Sequence, residues 1–147
     1  MRTVNEILLQ KGPHFNSIDA GATVIAAINR MKCENISYLI VLDKGKYAGI
    51  ISERDYARKV ILNNKHSDTT LVWEIMSTDL PIVAYTDTSE ECMLLMNASK
   101  SRYLPVFENR EFKGVITMHD LFRETIIEKQ KTMQNISPEK ASQHYWI

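Results

Sequence analysis

The sequence predicts an α+β fold: two tandem β-α-β-β-α repeats packed with approximate twofold symmetry into one module. Three observations carry this expectation. The stretch GIISERD, Gly49 to Asp55, recurs as GVITMHD, Gly114 to Asp120. Sliding the chain on itself by 65 residues extends the match without a gap, placing Thr23 on Thr88, Met31 on Met96, Tyr38 and Leu39 on Tyr103 and Leu104, Val41 on Val106 and Arg58 on Arg123. Within each copy the apolar pattern then switches between helical and strand periods in the same order.

The elements follow in chain order. TVNEILLQ reads as a short helical segment, and residues Phe15 to Ile18 as a leading strand. Thr23 suits an N-cap, because Val24, Ala27, Ile28 and Met31 fall at i, i+3, i+4 and i+7, the stripe of an amphipathic helix. ISYLIVLD, rich in β-branched and aromatic residues, reads as a strand. Lys44 to Lys46, with Gly45, forms a tight turn, and YAGIIS completes a hairpin. The helix DYARKVILNN follows. TLVWEIMS opens the second copy with another short helical segment, then Pro81 to Tyr85 leads, Thr88 caps a helix with the stripe Cys92, Met93 and Met96, and YLPVFE and FKGVIT pair across NRE. DLFRETIIEKQ is the closing helix. This divides the chain into residues 1–70, the first repeat with its helical segment, 71–132, the second repeat, and 133–147, a tail. In the tail Ser137, Pro138 and Glu139 look like a helix start, while the final HYWI suits either docking on a partner subunit or a free terminus. One repeat of about 60 residues is marginal alone, so the copies are expected to pack together with clefts between them.

Composition narrows the function. Of 147 residues, 44% are apolar and 24% charged, which is average for a globular chain. Lys plus Arg and Asp plus Glu are 18 each, so no bulk positive field exists to hold a polyanion, and nucleic acid is not an expected partner. The start lacks the apolar core of a signal peptide and no apolar run approaches the roughly 20 residues of a membrane span, which points to a cytoplasmic protein without a membrane partner. Cys33 and Cys92 form no C-x-x-C pair, and each reads as a small buried apolar residue. No nucleophile elbow, phosphate-binding loop or metal-binding His/Cys spacing occurs. His14, His66 and His144 are scattered and only His119 lies in a motif, so neither an enzyme nor a metal site is expected.

The repeated motif has two readings. Ser52 with Asp55, and Thr117 with Asp120, match the [ST]-x-x-[DE] capping box that closes a helix N-terminus without any ligand. The acid also faces the positive end of the helix dipole, worth about 0.3 to 1 kcal/mol. A cap, however, needs no glycine three residues earlier. Gly49 and Gly114 weaken an apolar strand unless another group approaches the backbone closely, and a ligand is one such group. A hydroxyl, a carboxylate and free N–H groups at one spot suit a ribose and phosphate oxygens.

The duplicated G-x-x-[ST]-x-x-D unit, the strands SYLIVLD and RYLPVFE and the connecting VWEIM resemble the CBS domain, named for cystathionine β-synthase, over about residues 1 to 130. SERDYARKV looks like the small stand-alone bacterial pairs of that family, which are called Bateman modules. The resemblance implies a regulatory sensor that needs no cofactor but binds an adenosine ligand in clefts between the repeats: AMP, ADP or ATP, with S-adenosylmethionine or NADH as further options. It implies a disc-shaped homodimer of modules and a regulated partner protein not yet known. Carried over by position, Asp55 and Asp120 hold ribose hydroxyls, Ser52 and Thr117 contact ligand or phosphate, and Arg54 and His119 stand near the phosphates. Ser37 and Arg102 face the clefts, with Arg102 across from Arg54. Ile50 or Val115, with Ser17 and Ile18 or Val83 and Ala84, lines an adenine slot. Tyr38 departs from the family's usual small residue and either stacks on a base or fills the slot, and Ala84 replaces a common hydroxyl residue. The alternative is an interaction or dimerisation scaffold whose clefts are filled by its own side chains, the motif serving only as a cap.

Overall fold

The computed structural model of the protein describes residues 1–134; of the expected tail, 133–147, the first two residues belong to the last helix and the rest, with Ser137 and HYWI, lies outside the described residues. The elements in chain order are α1 (Val4–Lys11), β1 (Ser17–Asp19), α2 (Val24–Glu34), β2 (Tyr38–Asp43), β3 (Lys46–Ser52), α3 (Glu53–Tyr56), α4 (Val72–Ile75), α5 (Ser89–Ser99), β4 (Tyr103–Glu108), β5 (Glu111–Thr117) and α6 (Met118–Gln134). They form two compact units, His14–Asp79 on the one hand and Met1–Pro13 with the described residues from Leu80 on the other. The units do not follow the division in chain order: α1 folds with the second repeat and α4 with the first. The reason is visible in the backbone. Val4 N and Asn5 N donate to Asp87 O and Tyr85 O at 2.8 and 3.1 Å, and Val72 N and Trp73 N donate to Ala22 O and Ala20 O at 2.8 and 3.1 Å. Each helical segment thus spends its unpaired first-turn donors on the loop before a repeat's first long helix.

In the first-repeat unit β1 runs parallel to β2 and β2 antiparallel to β3. Thr23 caps α2, its hydroxyl accepting from Ala26 N, and Asn35 ends the helix in the left-handed region. Lys44 and Gly45, both at positive φ, make the two-residue hairpin turn. Val24, Ala27 and Met31 pack against Leu39, Val41 and Ile51, and Val72 and Ile75 of α4 complete this core.

The second-repeat unit repeats the plan. Thr88 and Glu91 form a reciprocal capping box on α5, and Cys92 and Met96 pack with Leu104, Val106, Ile116 and Leu121. Val4 and Ile7 of α1 complete this core, where α4 completes the other. The likeness extends to an irregularity: register slips between Val41 and Leu42 and again between Val106 and Phe107, which are 65 residues apart.

Four expectations are corrected. The second leading strand shrinks to a single bridge, Val83 with Val106. In the first repeat Ile40 N donates to Asn16 O at 3.0 Å, but Pro105 stands at the equivalent place and has no N–H to give. The first leading strand is Ser17–Asp19, shifted from Phe15 to Ile18. The helix after the first motif does not continue regularly, because α3 opens into a π-turn over Ala57–Ile61, whereas α6 runs 17 residues. Cys33 is exposed, since it lies two positions past Met31 and so turns away from the buried stripe; Cys92 is buried as expected. No helix among the described residues is long and apolar enough to cross a membrane.

Candidate functional site

Each motif sits where a strand end meets a helix start. Tyr38 pairs with Ser52 across the first hairpin and Tyr103 with Thr117 across the second. Ser37 O accepts from Glu53 N and Arg102 O from Met118 N, both at 3.0 Å, so the start of the inner strand is tied to the first residue of the motif helix. The first-repeat unit therefore assembles Ser37, Tyr38, Ile50, Ser52, Arg54 and Asp55 around one helix end. The second assembles Arg102, Val115, Thr117, His119 and Asp120. Arg54, His119 and Arg102 are exposed, while Ile50, Val115 and both motif acids are buried.

Both motifs are full capping boxes. Asp55 N donates to Ser52 Oγ at 3.2 Å and Ser52 N returns a bond to Asp55 Oδ2 at 3.0 Å. Asp120 N donates to Thr117 Oγ1 at 3.2 Å and Thr117 N to Asp120 Oδ2 at 2.8 Å. The carboxylates have further partners that the motif does not contain. Asp55 Oδ1 accepts from Ser77 Oγ at 2.9 Å and meets Lys59 Nζ at 2.9 Å; the same ammonium donates to Ile75 O. Asp120 Oδ2 pairs with Lys11 Nζ at 2.8 Å, and Arg123 stands 3.5 Å from Oδ1. Lys59 was readable as an i, i+4 partner of Asp55. Ser77 and Lys11 were not, because they arrive on the exchanged segments.

The same segments explain the glycines. A Cβ on Gly49 would lie 2.7 Å from Ser77 O and 3.1 Å from Met76 Sδ, and one on Gly114 would lie 3.1 Å from Leu8 Cδ2. The group that approaches each glycine is the protein's own chain, which corrects the expectation that a ligand makes the approach. Gly114 also holds φ +151, a conformation that disfavours any side chain.

The remaining candidates lie farther along the sheets. Ser17 and Ile18 on β1 are in register with Ile40 and Val41, and they line an open groove of about 540 Å³ with Asp19 and Arg30 that contains none of the motif residues. Val83 bridges Val106, and Ala84 N is taken by Asp87 Oδ2 at 2.7 Å. The described residues hold no group of three or more His, Cys, Asp or Glu able to bind a metal ion. Burial first, and then the charges of Asp87 and Glu91, push the Cys92 thiol up to about 11.

Comparison with known proteins agrees with this geometry. The model of the CBS domain matches residues 5–62 and again residues 72–126. CBSX3, a mitochondrial CBS domain-containing protein of Arabidopsis thaliana, is 27% identical over 144 residues, covering 92% of this chain and 70% of that protein. CBSCBSPB3 of the same plant is 28% identical over 134 residues, and there the chain spans 24% of the relative's length. Among solved structures, a protein with CBS domains from Burkholderia ambifaria MC40-6 is 36% identical with a TM-score of 0.80, covering 85% of this chain and 94% of its own. The hexameric CBS-CP12 protein of bloom-forming cyanobacteria, 23% identical with a TM-score of 0.69 over 95% of this chain and 88% of its own, shares the fold. With both repeats matched, the chain belongs to the CBS-domain family, as a tandem pair.

Proposed function

We propose that this CBS pair is a regulatory module that takes an adenosine nucleotide, AMP, ADP or ATP, at its duplicated motif and reports occupancy to a protein it regulates. The observation that carries the reading is the repetition of one constellation at two helix starts. In each, a buried carboxylate and a hydroxyl lie beside an exposed residue that can carry positive charge, Arg54 or His119. A carboxylate suits a ribose diol, and a guanidinium suits phosphate through paired hydrogen bonds. Signalling follows when nucleotide binds one arrangement of the protein more tightly than another, since only a difference in affinity shifts a population.

A nucleotide panel read by calorimetry and thermal shift tests this. Binding at a hundredfold excess over Kd raises stability by about 2.7 kcal/mol, and Asp55→Asn removes the part of that gain that belongs to its motif. No response to any adenosine ligand would sink the reading. A second reading, an interaction scaffold, is favoured by the complete internal pairing of Asp55 and Asp120, which leaves each motif satisfied as a cap. In either case we place the protein as a homo-oligomer. Met118, Phe122 and Ile126 expose apolar side chains at i, i+4 and i+8 along α6, which suits a second copy, and sedimentation velocity checks it.

A further inference from the structure

The two motif acids are held by different means. In the first-repeat unit α4 stops after four residues and the chain continues alongside β3. Ser77 N there donates to Ile50 O at 2.8 Å, Ile50 N returns a bond to Ser77 O at 3.0 Å, and Ser77 Oγ donates to Asp55. In the second-repeat unit α1 docks with the same backbone bonds but continues for eight residues, so among the described residues no segment following α1 pairs with β5 as Ser77 pairs with β3. Val115 O, the equivalent of Ile50 O, and the motif carboxylate at Asp120 Oδ2, the oxygen that also accepts from Thr117 N, are both met by one ammonium, Lys11 Nζ, at 2.9 and 2.8 Å. A side-chain cation thus stands at the carbonyl where the first repeat has the Ser77 N–H, and it pairs with its motif acid as Lys59 pairs with Asp55. Its side chain is 25% exposed against 4% for Asp120, so a rotamer change can release the ammonium from the carboxylate and from Val115 O together, whereas the Ser77 backbone cannot leave Ile50 without breaking a strand pair.

We infer that Lys11 is the specificity-determining residue of the Asp120 motif. It supplies the counter-charge of the empty site and passes from the carboxylate to a phosphate when a nucleotide binds there. The inference rests on the nucleotide reading above and deepens it. A ribose diol that takes Asp120 displaces the ammonium from the carboxylate, and a neutral nucleoside leaves that cation without a counter-charge. A phosphorylated ligand offers it one. The motif therefore discriminates between ligands that share base and ribose and differ in the phosphate. Arg123, longer and more exposed in its contact with Asp120, does not also hold the Val115 carbonyl and makes a smaller contribution.

The test is calorimetric titration of AMP and of adenosine into the full chain, with Asp120→Asn identifying the heat that belongs to this motif. We expect AMP to bind there roughly ten- to a hundredfold more tightly than adenosine, the range of a charge-assisted hydrogen bond. Lys11→Gln keeps a donor for Val115 O and removes the charge, so it should bring the two affinities within about threefold of each other. Lys11→Arg should keep the preference, which a merely structural role for residue 11 would not require. An AMP preference unchanged in Lys11→Gln overturns the inference while leaving the nucleotide reading intact. Absence of any Asp120-dependent heat in the wild type and in both Lys11 variants overturns the nucleotide reading of this motif, and the inference with it.

Discussion

Gly49→Ala asks whether the motif's glycine serves the chain or a ligand. The added methyl would stand 2.7 Å from Ser77 O, a backbone atom held in place by the two bonds between Ser77 and Ile50. Relief requires that segment to move away from β3. Overpacking of this kind costs about 1–3 kcal/mol, and a weakened hydrogen bond adds about 1 kcal/mol, so about 3 kcal/mol is expected in the absence of any ligand. With a urea slope of about 2 kcal/mol per M, the midpoint should fall by about 1.5 M, and the melting temperature by about 6–12 °C. Urea unfolding of nucleotide-free protein followed by circular dichroism reads this directly. A midpoint within about 0.3 M of wild type would show that Ser77 is not pressed against Gly49, and a loss confined to ligand affinity would return the glycine to a ligand role.

Three further outcomes are expected. Ile7→Ala opens a cavity in the core of the second repeat despite its place at the chain's start, costing about 2–5 kcal/mol, so amide exchange should accelerate across α5, β4 and β5. Acceleration confined to α2, β2 and β3 would contradict the exchange of helical segments. A thiol reagent should modify Cys33 rapidly in the native protein and Cys92 only on unfolding, and two fast thiols would contradict the burial of Cys92. Because the folded Cys92 thiol is raised from 9.0 to about 11, its contribution to stability is whole below about pH 9 and lost as pH rises toward about 11; Cys92→Ala should flatten the stability profile across that window.

Much of the fold was legible because its signals are local. Thr23 and Thr88 announce the two long helices by capping chemistry, the stripe from Val24 to Met31 fixes which face is buried, and Gly45 marks a turn that needs positive φ. The motif residues were equally legible as caps, since Ser52 and Asp55 lie three positions apart. Misreadings arose where a local rule met a nonlocal partner. The run from Pro81 to Tyr85 has the pattern of a strand, yet the donor it needs is missing at Pro105, some twenty residues on. Gly49 and Gly114 did signal a close approach, and the sequence offered no means of seeing that Met76 with Ser77, and Leu8, make it.

By itself the sequence determined the repeat, its period, the order of elements and the place of each capping box, because these depend on spacings within a few residues and on one exact-length duplication. Only the tertiary structure decided which helical segment serves which repeat, and therefore what touches the motif acids. Lys11 and Asp120 are 109 residues apart, and no periodicity connects them. Their pairing comes from the docking of α1 on the loop before α5, through orphan backbone donors that every helix start carries and that any loop carbonyl could satisfy. The choice between loops follows from the burial of Val4 and Ile7 in the second repeat's core and of Val72 and Ile75 in the first's, a matter of packing over the whole unit.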